Sequence, residues 1–173
     1  MLNNKQIVAN QQALRFKLLL EQYIQSNIYA DFKCDIKLDW DFKRRSSRGG
    51  IYKSGPGINI AMSSAALVFH NPNDVYRFYE YPSYDNSNTI GGFYAKDYVL
   101  KLQAIVAHEV AHAVQFFEYK KLNIRCKPHG PVFKKFYSLF REQFVNKNIP
   151  EQIALKEEYE KSLKSLYVTT YKY

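Results

Sequence analysis

Cysteine is scarce in this chain: two residues, Cys34 and Cys126, stand 92 positions apart among 173. They can build neither a CxxC pair, a four-cysteine zinc ribbon nor a disulfide framework, so two reduced, idle thiols are expected. Long apolar runs are missing as well. The longest, such as Ala65-Ala66-Leu67-Val68-Phe69, fall far short of the ~20 residues that cross a bilayer, which excludes a helical membrane span. The opening residues Met1-Leu2-Asn3-Asn4-Lys5-Gln6 lack a basic start followed by an apolar core, so no secretory leader is expected and the chain reads as cytoplasmic. Internal repeats and low-complexity tracts are absent. Acidic residues are few: 16 Asp and Glu face 25 Lys and Arg, a formal charge of +9. A surplus of that sign favours polyanionic partners such as nucleic acid and says nothing about fold.

Hydrophobic residues at 46% and charged residues at 24% are the proportions of a globular chain. Its length suits one domain over 1–173, with a core of about 4–147. Between about Asn4 and Gln25, Ile7, Ala13, Leu14, Phe16, Leu18, Leu20, Tyr23 and Ile24 recur at helical spacing and predict an amphipathic helix. The period then changes to two. Ile36, Leu38, Trp40 and Phe42 alternate with Lys37, Asp39, Asp41 and Lys43, a strand with one inward face. Ile51–Lys53 and Ile58–Met62 flank Gly55-Pro56-Gly57, and the three strands are expected to form a small antiparallel sheet that needs a helix on one face. A short helix capped by Asp74 is expected over 74–81, followed by a long loop to Lys96. Asp97 then caps a helix to about Tyr119 that is apolar almost all round and so runs through the core. Pro131 suits the first turn of another helix, on which Phe133, Phe136, Tyr137, Phe140 and Phe144 make a buried stripe. Pro150 opens a last helix to about residue 167. The fold class is therefore α+β.

The chemistry concentrates in His108-Glu109-Val110-Ala111-His112. Histidines at i and i+4 lie about 40° apart on one helix face, close enough to grip one ion. Zinc accepts neutral imidazole nitrogens, and its catalytic sites pair three protein ligands with a water whose proton an adjacent Glu can take. The chain has four His and nine Glu; shuffled, it would carry about 0.005 such patterns. Two other histidines could supply a third ligand. His129 lies in Pro128-His129-Gly130-Pro131, ahead of the Phe-striped helix on a connection that must double back along the motif helix, and is preferred. His70, in Phe69-His70-Asn71-Pro72, is the alternative. Gln115, one turn after His112, is either a partner of the site or a helix-face residue. Tyr94, Tyr98, Arg48 and Tyr137 are chemically able to stabilise an oxyanion, with core packing or a solvated surface as the competing role of each.

With His129-Gly130-Pro131-Val132-Phe133-Lys134 following the HExxH segment, the chain resembles the SprT-like zinc metallopeptidases, the family of Spartan-type DNA–protein crosslink proteases. Arg48-Gly49-Gly50, Ile58-Asn59-Ile60 and Ser63 are similar to the Arg-Gly turn and strand ahead of that family's catalytic helix. The resemblance covers about Ile36 to Phe140. It implies a zincin-like fold, one catalytic Zn²⁺ held by His108, His112 and His129, and Glu109 as general base in peptide-bond hydrolysis. It also implies a protein substrate on or near DNA, single-stranded or crosslinked. The family's C-terminal four-cysteine ribbon is missing, as are its ubiquitin and sliding-clamp motifs; the ribbon-less form suits a bacterial or phage protein working in a host cytoplasm as a monomer. Candidate nucleic-acid contacts are Arg44, Arg45 and Arg48 in one basic cluster and Lys120, Lys121, Arg125 and Lys127 in another, with Lys134-Lys135 nearby. Tyr76, Tyr79, Tyr81 and Tyr84 could stack on bases. The rival reading is a non-proteolytic DNA-binding adaptor whose zinc is structural, which requires a closed four-ligand site. A zinc hydrolase of non-peptide bonds is a further one.

Overall fold

A computed structural model of the protein describes residues 4–38, 48–51, 57–61, 75–78, 90–122 and 127–170. In chain order these form α1 (Asn4–Asn27), β1 (Asp35–Leu38), β2 (Arg48–Ile51), β3 (Gly57–Ala61), β4 (Tyr76–Phe78), β5 (Phe93–Ala95), α2 (Tyr98–Leu122), α3 (Pro131–Phe140) and α4 (Gln152–Thr170). Helices dominate, and the α+β class holds. No helix among the described residues is long and apolar enough to cross a membrane.

Helix α2 is the axis on which the rest is built. The Asp97 carboxylate starts it by accepting the Val99 N–H at 2.8 Å, so one of the unpaired donors of the first turn is satisfied. Leu102, Ala104, Val106, Ala107, Val110, Ala111 and Val114 are all buried, and helices α1 and α3 and strands β2 and β3 pack around it. An all-round apolar helix has no solvated face to keep, which is why it can take this position.

Helix α1 turns Ala9, Ala13, Phe16, Leu20 and Ile24 inward. Ile7, Leu14 and Leu18, expected on the same buried face, are instead 42%, 45% and 52% exposed. They lie roughly 120–160° round the helix from Leu20. The core takes the narrower stripe, whose two alanines permit close approach. Cys34, just before β1, is buried, and burial pushes its thiol up to about 12, which makes it inert. Cys126 lies outside the described residues.

The sheet departs from the expected all-antiparallel arrangement. Strand β2 pairs antiparallel with β3, but β1 pairs with β3 in parallel, from Asp35↔Gly57 to Leu38↔Ile60, giving the order β1-β3-β2. A parallel pair needs a crossover of about a dozen residues or more, and 18 residues separate Leu38 from Gly57. Alternation reports that a strand exists; it carries no information about the partner's direction. A second correction concerns 74–81. In place of a short helix, Tyr76–Phe78 forms β4, antiparallel to β5 with Tyr76↔Ala95 and Phe78↔Phe93 in register. Tyr76 and Phe78 are buried and Arg77 is exposed, the period of a half-buried strand.

Helix α3 opens on Gly130 and Pro131 as expected and buries Phe133, Phe136, Tyr137 and Phe140. Beyond Phe140 the helix widens into a π-turn, Arg141–Val145, and Phe144 meets the α1 rings of Tyr23 and Phe16 edge-on at 5.1 and 6.5 Å. Arg141 is 1% exposed. Its guanidinium donates to the Tyr137 hydroxyl (3.0 Å), the Gly91 carbonyl (3.0 Å) and Asn146 Oδ1 (2.9 Å), and lies 5.3 Å from the Phe93 ring centroid. It thereby ties the β4–β5 hairpin to α3. Helix α4 attaches through Gln152, whose side-chain amide accepts the Tyr94 N–H at 2.6 Å and donates to the Tyr94 carbonyl at 3.1 Å. That amide occupies the main-chain positions a neighbouring strand would use and covers the edge of β5.

Arg141→Lys replaces a rigid fork by a single ammonium that cannot reach three acceptors in different directions. Leaving buried acceptors unsatisfied should destabilise the protein by at least about 2 kcal/mol, lowering the thermal midpoint by about 4–8 °C, measured by circular dichroism. An unchanged midpoint would remove Arg141 from this role.

Candidate metal centre

Two of the four histidines project from the middle of α2 and a third from the turn before α3. His108 and His112 are half-buried and His129 is exposed. Their Nε2 atoms converge: His112 to His129 is 3.0 Å and His129 to His108 is 3.3 Å. Ligand atoms of all three lie within 4.8 Å of one another, and among the described residues no carboxylate or thiol joins the cluster. The preferred third ligand, His129, is thus brought to the pair across 17 positions of sequence. His70 lies outside the described residues.

Local sequence explains how each ring arrives. The i, i+4 spacing sets His108 and His112 with ring centroids 5.0 Å apart. His129 sits in a four-residue turn closed by the Gly130 N–H donating to the Lys127 carbonyl at 3.1 Å, and it adopts a left-handed φ of 56°. Pro128 presets the position before it, and a non-glycine left-handed residue costs on the order of 1 kcal/mol. That strain aims the imidazole back at α2. Phe133 forms the floor, with its ring 4.3 Å from His112, 4.8 Å from His108 and 4.8 Å from His129. One face of the cluster is therefore dry, which strengthens any electrostatic contact made there.

The donor set fits a divalent cation. A tetrahedral ion with imidazole nitrogens at about 2.0–2.1 Å separates those nitrogens by about 3.3–3.4 Å, close to the spacings found here. Histidine 112 is also held in the right tautomer: its Nδ1 faces Gln115 Oε1 at 3.3 Å, while Gln115 Nε2 donates to the Lys127 carbonyl at 2.9 Å. The second contact fixes which end of the amide is the oxygen, so Nδ1 carries the proton and Nε2 presents a lone pair. Burial, with the neighbouring His108 and His129 rings adding to it, drives the His112 imidazole down to about 3. It stays neutral, as a metal ligand must. Three protein ligands leave a tetrahedral ion one open position.

Glu109, the proposed base, is 5% exposed and follows His108 in the same helical turn. The four oxyanion candidates fall out differently. Tyr98 donates its hydroxyl to Gln12 Oε1 at 2.8 Å, and Tyr94 packs its ring 5.4 Å from Tyr159. Tyr137 is fully buried, with its ring 5.2 Å from that of His108 and its hydroxyl accepting from Arg141. Arg48 begins β2. Of the basic residues, Lys120, Lys121 and Lys127 are exposed around the last turn of α2 and the His129 turn; Lys121 pairs with Asp31 at 3.1 Å. Arg44, Arg45 and Arg125 lie outside the described residues, as do Tyr79, Tyr81 and Tyr84. Tyr76 is no stacking platform, because it is 5% exposed and its hydroxyl donates to the Asp97 carbonyl. Sequence reasoning left Gln115 undecided and missed the Lys127 carbonyl; the one signal available was Pro128-His129-Gly130, which marks a tight turn.

No family model matches the chain, and neither a curated protein nor a solved structure does.

The His112 environment sets a pH dependence. Unfolded, this imidazole takes up a proton near its ordinary 6.5, while the folded ring resists down to about 3. The folded state therefore binds fewer protons between those values, and stability present above pH 6.5 is lost progressively as pH falls toward 3. Urea midpoints of the chelator-treated protein at about pH 7.5 and about pH 5 should fall further for the native sequence than for His112→Gln. Equal losses would contradict the assignment.

Proposed function

We propose that this protein is a zinc-dependent endopeptidase with a zincin-like, SprT-like catalytic domain, acting on proteins associated with DNA. The single observation that carries the reading is the convergence of three imidazole nitrogens from two separate segments, next to a buried glutamate. His108, His112 and His129 hold the ion. A zinc ion bound there supplies Lewis acidity, acidifying water and polarising a scissile carbonyl. Glu109 accepts the proton of the attacking water and returns it to the amine as the carbon–nitrogen bond breaks, so one water is consumed and two chain ends form. Phe133 keeps bulk water off the side of the rings that it packs against.

The DNA part of the reading rests on charge. The surplus of +9, the exposed Lys120 and the exposed Lys127 of the His129 turn suit a phosphate backbone, which would hold crosslinked proteins close to the metal. Lysines at the end of α2 also offset the negative end of the helix dipole, so only part of this charge is available to a partner. The adaptor alternative needs a closed four-ligand site, whereas the cluster among the described residues has three members.

Wild-type protein should purify with, or take up, one equivalent of zinc and cleave casein or histones. Glu109→Gln should keep the metal and lose about 10²–10⁴-fold in cleavage; retained cleavage would remove the glutamate from its role. His129→Ala should weaken zinc binding by at least about tenfold, the lower end of what losing even an outer-shell partner does to such a site. Affinity of wild type for single-stranded DNA should fall steeply with salt, since phosphate contacts release counterions; a log–log slope near zero would separate the protease from DNA.

A further inference from the structure

Gln115 touches two histidine-bearing segments at once. It is fully buried on α2, three residues beyond His112 and therefore on the same side of the helix. Its Oε1 faces His112 Nδ1 at 3.3 Å, and its Nε2 donates to the main-chain carbonyl of Lys127 at 2.9 Å. That carbonyl also accepts the Gly130 N–H, at 3.1 Å, so it is the closing point of the turn whose third residue is His129. One amide thus contacts the helix ligand directly and the turn ligand through the turn's own hydrogen bond.

We propose that Gln115 is the positioning residue of the metal centre: it sets the tautomer and rotation of His112 and pins the strained turn that carries His129, so both rings are preorganised for the ion. The proposal rests on the three histidines holding a metal. Two features argue for a brace rather than a buried polar group that merely finds partners. His129 is the exposed member of the triad and holds a left-handed φ of 56°, so its aim depends on whatever keeps the turn closed. At Gly130, an added Cβ would stand 3.1 Å from the Lys127 carbonyl oxygen and 3.9 Å from Gln115 Nε2. The turn thus closes tightly on its own carbonyl and lies in van der Waals reach of the amide.

Two substitutions separate the two contacts. Gln115→Met removes both at similar volume. Gln115→Glu keeps an acceptor for His112 and turns the other contact into a repulsion between carboxylate and carbonyl. For each full-length protein the readouts are the zinc dissociation constant, by competition with a chromogenic chelator, and the visible absorption of the Co²⁺ form, which reports ligand number and geometry. The urea midpoint of the metal-free form is measured alongside. Gln115→Met should weaken zinc binding about 10–100-fold, the range that partners of metal-bound histidines command, and should shift the Co²⁺ bands. Gln115→Glu should fall between it and wild type. If Gln115→Met lowers only the urea midpoint and leaves zinc affinity within twofold, Gln115 is a core residue and the proposal is wrong. Should that variant fail to fold, Gln115→Glu decides: wild-type affinity with an unchanged Co²⁺ spectrum overturns it. Failure of the wild type itself to bind zinc or cobalt overturns the metal reading instead, before any variant is considered.

Discussion

The His129 ring nitrogen, held 3.0 Å from that of His112 and 3.3 Å from that of His108, is the constraint around which this structure is organised. Nitrogen lone pairs repel at that distance, so a shared proton or cation between the rings is favoured. A shared divalent cation relieves both contacts. Each ring is fixed from behind: two by one helix, one by a strained turn, and all three by the same phenylalanine. Convergence is imposed by packing, and it leaves a group of three side chains that could hold a cation.

The setting of α2 has consequences beyond the ligands. A helix buried on nearly all sides offers polar groups a poor environment unless they have partners. His108, Glu109, His112 and Gln115 are the polar side chains in the middle of that helix, and they occur together within eight positions. Concentrating them limits the disruption to one patch, where each can serve the others. The same concentration keeps the His112 ring neutral, since burial opposes its charge and its neighbours would repel it. Arg141 and the β4–β5 pair solve a similar problem just beyond α3, where a guanidinium is enclosed by aromatic rings and satisfied by one carbonyl, one hydroxyl and one amide.

Much of this was legible in the residues. Helix α2 declared itself by apolar residues on almost every side with Asp97 ahead of it, and α3 by Pro131 and the Phe stripe. The i, i+4 histidines announced the site, and His129 stood out because its Pro-Gly surroundings suit a tight turn near a helix start. Other elements resisted for identifiable reasons. Tyr76–Phe78 is too short for its period of two to outweigh a helix cap at Asp74. The direction of β1 depends on which strand it meets after an 18-residue excursion, and alternation is silent on that. In α1 the apolar residues occupy more of the surface than the core can cover, so Ile7, Leu14 and Leu18 are left half-exposed.

By itself, the order of residues determined α1 to α4 and the pairing of His108 with His112 on one helix face, because these depend on local spacing. Only the tertiary structure decided that a turn residue 17 positions downstream meets the helix pair, that Phe133 lies beneath all three rings, and that Gln115 joins both segments. Those contacts arise from how α3 docks on α2, and docking is settled by the summed fit of surfaces distant in sequence, which no short-range pattern encodes.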